Sequence, residues 1–384
     1  MIRSFGAMAR AIATLTAVLI AMGAVVVLTK SPALAAVTCH RTATPSTFAS
    51  QVSAATAGQA ICLASGSYGT WQGTNKAITI VKADGATPTM KISFSAGDSG
   101  FTIDGLGGMG GQISGGANNI TIRNSAFNSE IGVSGTASGS NIVFDGNSHN
   151  NISGSATANR FMAAGGGLTI RNSLFQGGGS DGVRLATSAP VNVIANTFLN
   201  IISDGSGNHT DMIQWYGGSN AVIRGNLFKQ TVGGETQVMG AYDGTGGNLI
   251  EDNVVDVISR PWAIELYSDD GSVIRHNTLV YRSGCAYSMT CGHIALDRKT
   301  SDDAGRNTQV YDNIATGFAI GNGSTASRRD HNMVRSGAAT GDFVGAPTFQ
   351  GGAAPTTLAG YRLTTSSVGA GRASDGLDVG ARIR

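Results

Sequence analysis

One short pattern recurs along most of this chain: a β-branched or aromatic residue, two further residues, an Asn or Ser, one more residue, then an apolar one. It reads "ITIRNSAF" at 120–127, "IVFDGNS" at 142–148, "LTIRNSLF" at 168–175, "VNVIANTF" at 191–198 and "AVIRGNLF" at 221–228. It continues as "LIEDNVV" at 249–255, "VIRHNTL" at 273–279 and "QVYDNIA" at 309–315. The polar position falls on Ser125, Asn147, Ser173, Asn196, Asn226, Asn253, Asn277 and Asn313, at spacings of 22, 26, 23, 30, 27, 24 and 36 residues. A unit of that length, built of short strands and turns and tolerant of insertions, predicts a solenoid of stacked coils. No coil can bury its inward face alone, so coils stack about 4.8 Å apart around a continuous apolar column. An Asn at the same turn of each coil then bonds to the Asn above and below.

Composition agrees with short strands. Of 384 residues 56 are Gly and 7 Pro, charged residues make up 13%, and no stretch beyond the first 36 residues keeps a 3.6-residue apolar period. The net charge is +2 with the basic residues scattered, so nothing marks a nucleic-acid partner. Residues 1–36 combine Arg3 and Arg10, an apolar run and the small-residue site Ala33-Leu34-Ala35, the pattern of a secretory signal peptide. An uncleaved anchor is the competing reading, and no later segment approaches the roughly 18 apolar residues of a membrane span. The expectation is a secreted, extracellular monomer, free of the membrane after cleavage. In an oxidising compartment Cys39 with Cys62, and Cys285 with Cys291, are expected as local disulfides, since neither spacing fits a zinc site. The second bridge would shape a wall beside His293 and Asp297.

Residues 44 to 62 suit a short amphipathic helix capping the first coil, where an open strand edge would otherwise recruit another chain. The expected organisation is a cap with first strands over 37–94, the solenoid over 95–320, and closing coils over 321–384. The pattern and its spacing resemble the right-handed parallel β-helix proteins. "LASGSYGTWQG" is similar to the strand entry of chondroitinase B-like and pectate lyase-like members, and "DVGA" at 378–381 to the closing segment of many secreted ones. The resemblance implies an all-β, single right-handed parallel β-helix with an Asn/Ser ladder and a short N-terminal capping helix.

A second strand lies between ladder positions in the middle coils: "DGVRLAT" (181–187), "DMIQWYG" (211–217), "TQVMGAYD" (236–243), "WAIELYS" (262–268) and "HIALDRKT" (293–300). Placing Val183, Ile213, Val238, Ile264 and Leu296 in one inward column sets Arg184, Gln214, Met239, Glu265 and Asp297 side by side outward. His209 and Asp211 then stand at the entrance of the second strand, and Arg298 and Lys299 at the exit of the fifth. Trp215, Tyr216, Tyr242, Trp262 and Tyr267 lie on the same strands. Aromatic faces beside charged groups along a groove suit a polysaccharide, whose rings stack while hydroxyls and carboxylates find polar partners. Each residue also has a plainer reading: His209 and Asp211 as a turn, Gln214 and Glu265 as surface polar residues, Arg298 and Lys299 as a solvated rim.

Two reactions would use this face. In a lyase acting on a uronate-containing polysaccharide, Arg184, Arg298 or a calcium ion on Asp211, Glu265 and Asp297 neutralises the uronate carboxylate. Lys299 or His209 then removes the C5 proton and the 4-linked sugar leaves by β-elimination. A glycoside hydrolase or epimerase would instead need paired carboxylates, which Asp211, Glu265 and Asp297 supply. The resemblance to polysaccharide lyases of alginate, chondroitin and pectin favours elimination. The polygalacturonase-type pattern is incomplete, with "TCGHIA" at 290–295 but no paired-Asp strand before it. A non-catalytic carbohydrate-binding or adhesin-like solenoid is the remaining expectation, although the unusual residues cluster between 181 and 300 rather than repeating on every coil.

Overall fold

In the computed structural model, residues 37–152, 159–203, 210–234, 236–258, 262–282, 291–299 and 302–383 are described. The expected signal peptide, His209 and Cys285 lie outside them, so the second disulfide and the histidine of the "NHTDMIQ" segment are not placed. Among the described residues no helix is long and apolar enough to cross a membrane.

The chain is a parallel β-helix. One face is a 13-stranded parallel sheet from Arg41–Ala43 to Ala326–Asp330, each strand one coil along from its neighbour. The motif strands pair in the register the repeat implies: Ile142 sits opposite Ile120 and Leu168, and Ile223 opposite Val193 and Ile250. Each motif strand is followed by a residue with positive φ just before the ladder position, including Asn124, Asn172, Ala195, Asp252, His276 and Asp312. Asn, Asp and His tolerate that left-handed turn better than other side chains, which explains the recurrent pairs preceding the ladder residue.

All eight expected ladder residues bond in sequence. The backbone N–H of Ser125 donates to Asn147 Oδ1 at 2.9 Å, and those of Asn196, Asn226, Asn253 and Asn277 donate one coil onward at 2.8–3.1 Å. The ladder runs past the last copy of the sequence motif: Asn313 donates to Asn332, and Asn332 to the Asp342 carboxylate, which ends the column. A second polar column at the opposite turn links Asn248, Ser272 and Asp269. Inside, Phe127, His149, Phe175, Phe198 and Phe228 stack on successive coils with centroids 4.4–4.8 Å apart.

Strands of the same sheets also lie within 37–94 and 321–384, the segments assigned above to first strands and closing coils. Ala60–Leu63 and Thr79–Lys82 already belong to the first sheet; the second face is the row Ser148–Asn150, Leu174–Gln176, Thr197–Leu199, Leu227–Lys229, Val254–Asp256, Thr278–Leu279 and Ile314–Ala315, which Met333–Val334 and Phe343–Val344 continue. The early coils lack the sequence pattern because Ala64, Ala83 and Leu106 stand where later coils carry the ladder residue. The N-terminal cap is the helix Phe48–Ala54, whose Phe48 packs edge-on against Tyr68 and Trp71. The Cys39–Cys62 disulfide, with Cα atoms 5.6 Å apart, ties the segment before this helix to the first full coil.

Candidate functional site

The third face carries the unusual residues. Its strands Asp181–Leu185, Asp211–Trp215, Gln237–Ala241, Ile264–Tyr267, His293–Asp297 and Gly317–Ile320 lie side by side. Their register sets Val183, Ile213, Met239, Ile264, Ile294 and Phe318 in one inward column. The outward row is Arg184, Gln214, Gly240, Glu265 and Ala295.

Three coils match the sequence expectation and two do not. Met239 points inward, and Gly240 takes its outward place. Val238 and Met239 are both apolar and Gly240 has no side chain, so alternation could not decide between registers. On the fifth coil Ile294, not Leu296, stands opposite Ile264, so Asp297 lies beside Tyr267 rather than Glu265. Trp215 also leaves the groove: it is 1% exposed and its indole N–H donates to Asn248 Oδ1 at 3.1 Å. Tyr216 is the exposed aromatic of that strand, with the Arg184 guanidinium 4.0 Å from its ring centroid.

Glu265 is the centre of the arrangement. It is 1% exposed, and its Oε2 accepts from Gln237 Nε2 at 2.8 Å and from the Tyr242 hydroxyl at 3.1 Å. Tyr267 hydrogen-bonds the same carboxyl. Burial pushes its pKa up to about 7; the two phenols pull it down and the negative charges of Asp211 and Asp297 push it up again. Burial and the charge of Glu265 hold the Tyr267 phenol up at about 12 and raise Tyr242 as well. The two phenol rings lie 5.3 Å apart, both half-buried. The small residues Gly240 and Ala295 flank Glu265 along the row, leaving that stretch without bulk.

The remaining candidates surround this centre. Asp211 is buried, and its backbone N–H donates to Asp181 Oδ1 at 2.9 Å. Asp297 accepts from Asn322 Nδ2 at 2.7 Å and from the Arg298 backbone at 2.8 Å. The Arg298 guanidinium is turned onto the Asp302 carbonyl at 3.0 Å. Lys299 reaches back across two coils to pair with Asp243, and that pairing raises its pKa. A lysine base would need the opposite shift, so the base role expected of Lys299 is at odds with its surroundings. His293 lies 6.0 Å from the Trp262 ring, on the row adjoining Glu265.

Calcium was expected on Asp211, Glu265 and Asp297. Among the described residues no three His, Cys, Asp or Glu side chains converge closely enough to hold a metal ion. The Asp297 carboxylate is held by Asn322 and the Arg298 backbone, and the one at the centre is held by donors while its pKa sits near neutral, which suits a proton better than a divalent ion. The donor set does not fit the metal.

Gln237 and Asn322 belong to the site and were not anticipated. The only signal for Gln237 was the glycine three residues later, breaking the alternation of "TQVMGAYD".

No protein-family model matches the chain, and no curated protein matches it by sequence. Among solved structures it is similar to a variant of the PL6 family alginate lyase AlyGC, with TM-score 0.52 and 14% identity over 90% of this chain and 58% of that one. The surface adhesin PfbA of Streptococcus pneumoniae gives a TM-score of 0.49 at 13% identity, covering 75% of this chain and 84% of that one. Pectate lyase Pel9A gives 0.40 at 14% identity, over 91% and 98%. This chain thus spans 58% of the alginate lyase's length, and at such identity the likeness is one of fold. The chain has the parallel β-helix architecture on which that polysaccharide lyase is built.

Proposed function

We propose that the third face is the active site of a secreted polysaccharide lyase that cleaves a uronate-containing chain by β-elimination. The observation that carries this reading is the pair of phenols, Tyr242 and Tyr267, sharing one buried carboxyl whose pKa lies near neutral. Elimination needs one group to take the C5 proton and another to give a proton to O4 as the C4–O4 bond breaks. Two half-buried phenols beside the groove meet that need. One phenol oxygen takes the C5 proton as its own proton passes to Glu265, and the C–H electron pair becomes the C4=C5 double bond. The bonding pair of C4–O4 leaves with O4, which takes a proton from the other phenol. Glu265 then returns its proton to that phenolate, so the cycle closes with no net gain or loss. A carboxyl with pKa about 7 is suited to holding a proton for part of each cycle.

Lys299 supplies a cation at the rim of this coil, where it can exchange Asp243 for a sugar carboxylate. Arg184, stacked on Tyr216, supplies another in the same row as Glu265 but three coils away, about 14 Å along the axis. That distance places it on a different sugar of the same chain.

A second reading rests on Asp211 and Glu265. Two carboxyls whose charges interact, one of them raised to about 7, are the pattern of an acid and base in a glycoside hydrolase. Incubation with acidic and neutral polysaccharides separates the two. Ultraviolet absorbance from unsaturated ends supports the lyase, reducing ends without that absorbance support the hydrolase, and neither product defeats both.

A further inference from the structure

The two phenols of the site are not equivalent, and Gln237 is the reason. Its Nε2 donates to Glu265 Oε2 at 2.8 Å, while its Oε1 accepts from the Tyr242 hydroxyl at 2.6 Å. Tyr242 also lies 3.1 Å from the same Oε2, so its one hydroxyl proton is shared across a ring of amide, phenol and carboxyl, with the main bond to the amide and the weaker one to the carboxyl. Tyr267 bonds the carboxyl from outside that ring. We propose that Gln237 is a positioning residue: folded back over Gly240, it ties Tyr242 to one oxygen of Glu265 and so assigns different roles to the two phenols. The shorter bond from Tyr242 runs to Gln237 rather than to Glu265, so the amide sets which way that hydroxyl points. Tyr267 faces the carboxyl with no such intermediary among the described residues.

Gly240 is the second observation. Its backbone does not have the positive φ that calls for glycine, so conformation does not explain it. Space does. A β-carbon at position 240 would stand 2.6 Å from Gln237 Nε2 and 3.1 Å from Asp211 Oδ1. Any side chain in this place on the outward row would push the amide off Glu265. The glycine and the glutamine make one device, the first vacating the row so that the second can lie across it. Gln237 is itself 2% exposed, so the amide is held as part of the packed face.

The inference rests on the lyase reading for its catalytic meaning, and its test does not. The chain has four glutamates, Glu130, Glu235, Glu251 and Glu265, so carbon-13 labelling of glutamate carboxyls yields a spectrum in which Glu265 is assigned by loss of its signal in Glu265→Gln. Its titration is then followed without any substrate. Tyr242→Phe removes the weaker share of the hydroxyl's bond that reaches the carboxylate and raises the midpoint modestly. Adding Gln237→Met to Tyr242→Phe removes the amide too, with a further rise of about half a unit or more. In the presence of Tyr242 the same Gln237→Met change has a smaller effect, because the hydroxyl released by the amide turns onto Glu265. The two substitutions are therefore non-additive. Gly240→Ala, a milder change, reproduces the direction of Gln237→Met. Additive midpoints, or a midpoint unmoved by both Gln237→Met and Gly240→Ala, overturn the proposal. Once a substrate is found, the limb of the pH-rate profile assigned to Glu265 shifts in parallel. If coupling is present but no polysaccharide is cleaved, the lyase reading fails and the positioning role stands.

Discussion

At the scale of single residues, two buried ionisable groups set how stability depends on pH, with opposite signs. Glu265 has a folded pKa of about 7 against an ordinary 4.5, so the folded state binds the proton more tightly than the unfolded one. Its contribution is fully present below about pH 4.5 and is lost as pH rises through about 7, on the order of a few kcal/mol. Glu265→Gln removes that loss: the variant is expected to melt higher than wild type at pH 8, with little difference at pH 5. It also loses activity by two or more orders of magnitude, the scale of a general acid or base. Calorimetry at the two pH values checks the first half, and an equal drop in melting temperature at both would contradict it. His149 is the opposite case. It lies between Phe127 and Phe175 with both ring nitrogens buried and unpartnered, and burial lowers its pKa to about 3. The stability tied to its neutral form is present above about pH 6.5 and lost as pH falls towards 3. His149→Phe completes the aromatic stack, and is expected to gain about 1–3 kcal/mol at neutral pH and more at pH 5. Urea denaturation at both values tests this, and a destabilised variant would show that the imidazole has a role the stack does not explain.

At the scale of the coil, the ladder residue is where sequence and structure correspond most closely. Asn253 Oδ1 accepts from the backbone and side chain of Asn226, while its Nδ2 donates to the Ile223 carbonyl and to Asn277 Oδ1, all at 2.8–3.0 Å. Asn253→Leu keeps the volume but strands partners on two neighbouring coils, at a cost of about 3 kcal/mol or more. Asn253→Ser is expected to cost less, since Ser125 and Ser173 fill the same place. Chemical denaturation of the two variants measures the difference, and equal losses would count against the ladder as the source. This column was legible because one residue type recurs at one turn, and a buried amide stacked on its own kind has few substitutes. The third face was less legible. There the outward row holds Arg184, Gln214, Gly240, Glu265 and Ala295, which share no chemistry, and Met212 and Val238, each next to a residue of the inward column, are buried in the apolar core as well. Two consecutive core residues break the alternation at Val238 and Met239, and Ile294 and Leu296, two apart, satisfy it equally, so the expected register misses on those two coils. Glu265 was found because it falls on a coil where alternation holds. Gln237 was not, because its role depends on the empty place that Gly240 leaves.

At the scale of the whole molecule, the segment after the last coil returns to cover the outer side of the second face. Leu227, Val254, Ile314 and Met333 are apolar and buried there with Phe349, Tyr361 and Leu363 of the returning segment. A buried polar knot fastens the two parts. Lys229 Nζ donates to Asp256 at 2.9 Å and to the Tyr361 oxygen and the Pro355 carbonyl at 2.8 Å, while Arg282 and the Tyr361 hydroxyl bond the same carboxylate. Burial alone would raise the Asp256 pKa, but the hydrogen bonds from Arg282, Tyr361 and Lys229 outweigh it and hold it below the ordinary range. A charge so placed depends on every partner, because removing one leaves the others buried and unpaired. Tyr361→Phe deletes one hydroxyl, and is expected to cost about 1–3 kcal/mol. The cost should be local. Hydrogen exchange should quicken in 346–383 and along the second-face strands that this segment covers. Exchange in Gln237–Ala241 and Ile264–Tyr267, on the third face, should stay unchanged. Activity should be retained at temperatures below the melting of the segment. If exchange quickened equally on the third face, the returning segment would be part of the same cooperative unit as the site rather than a separately fastened cover.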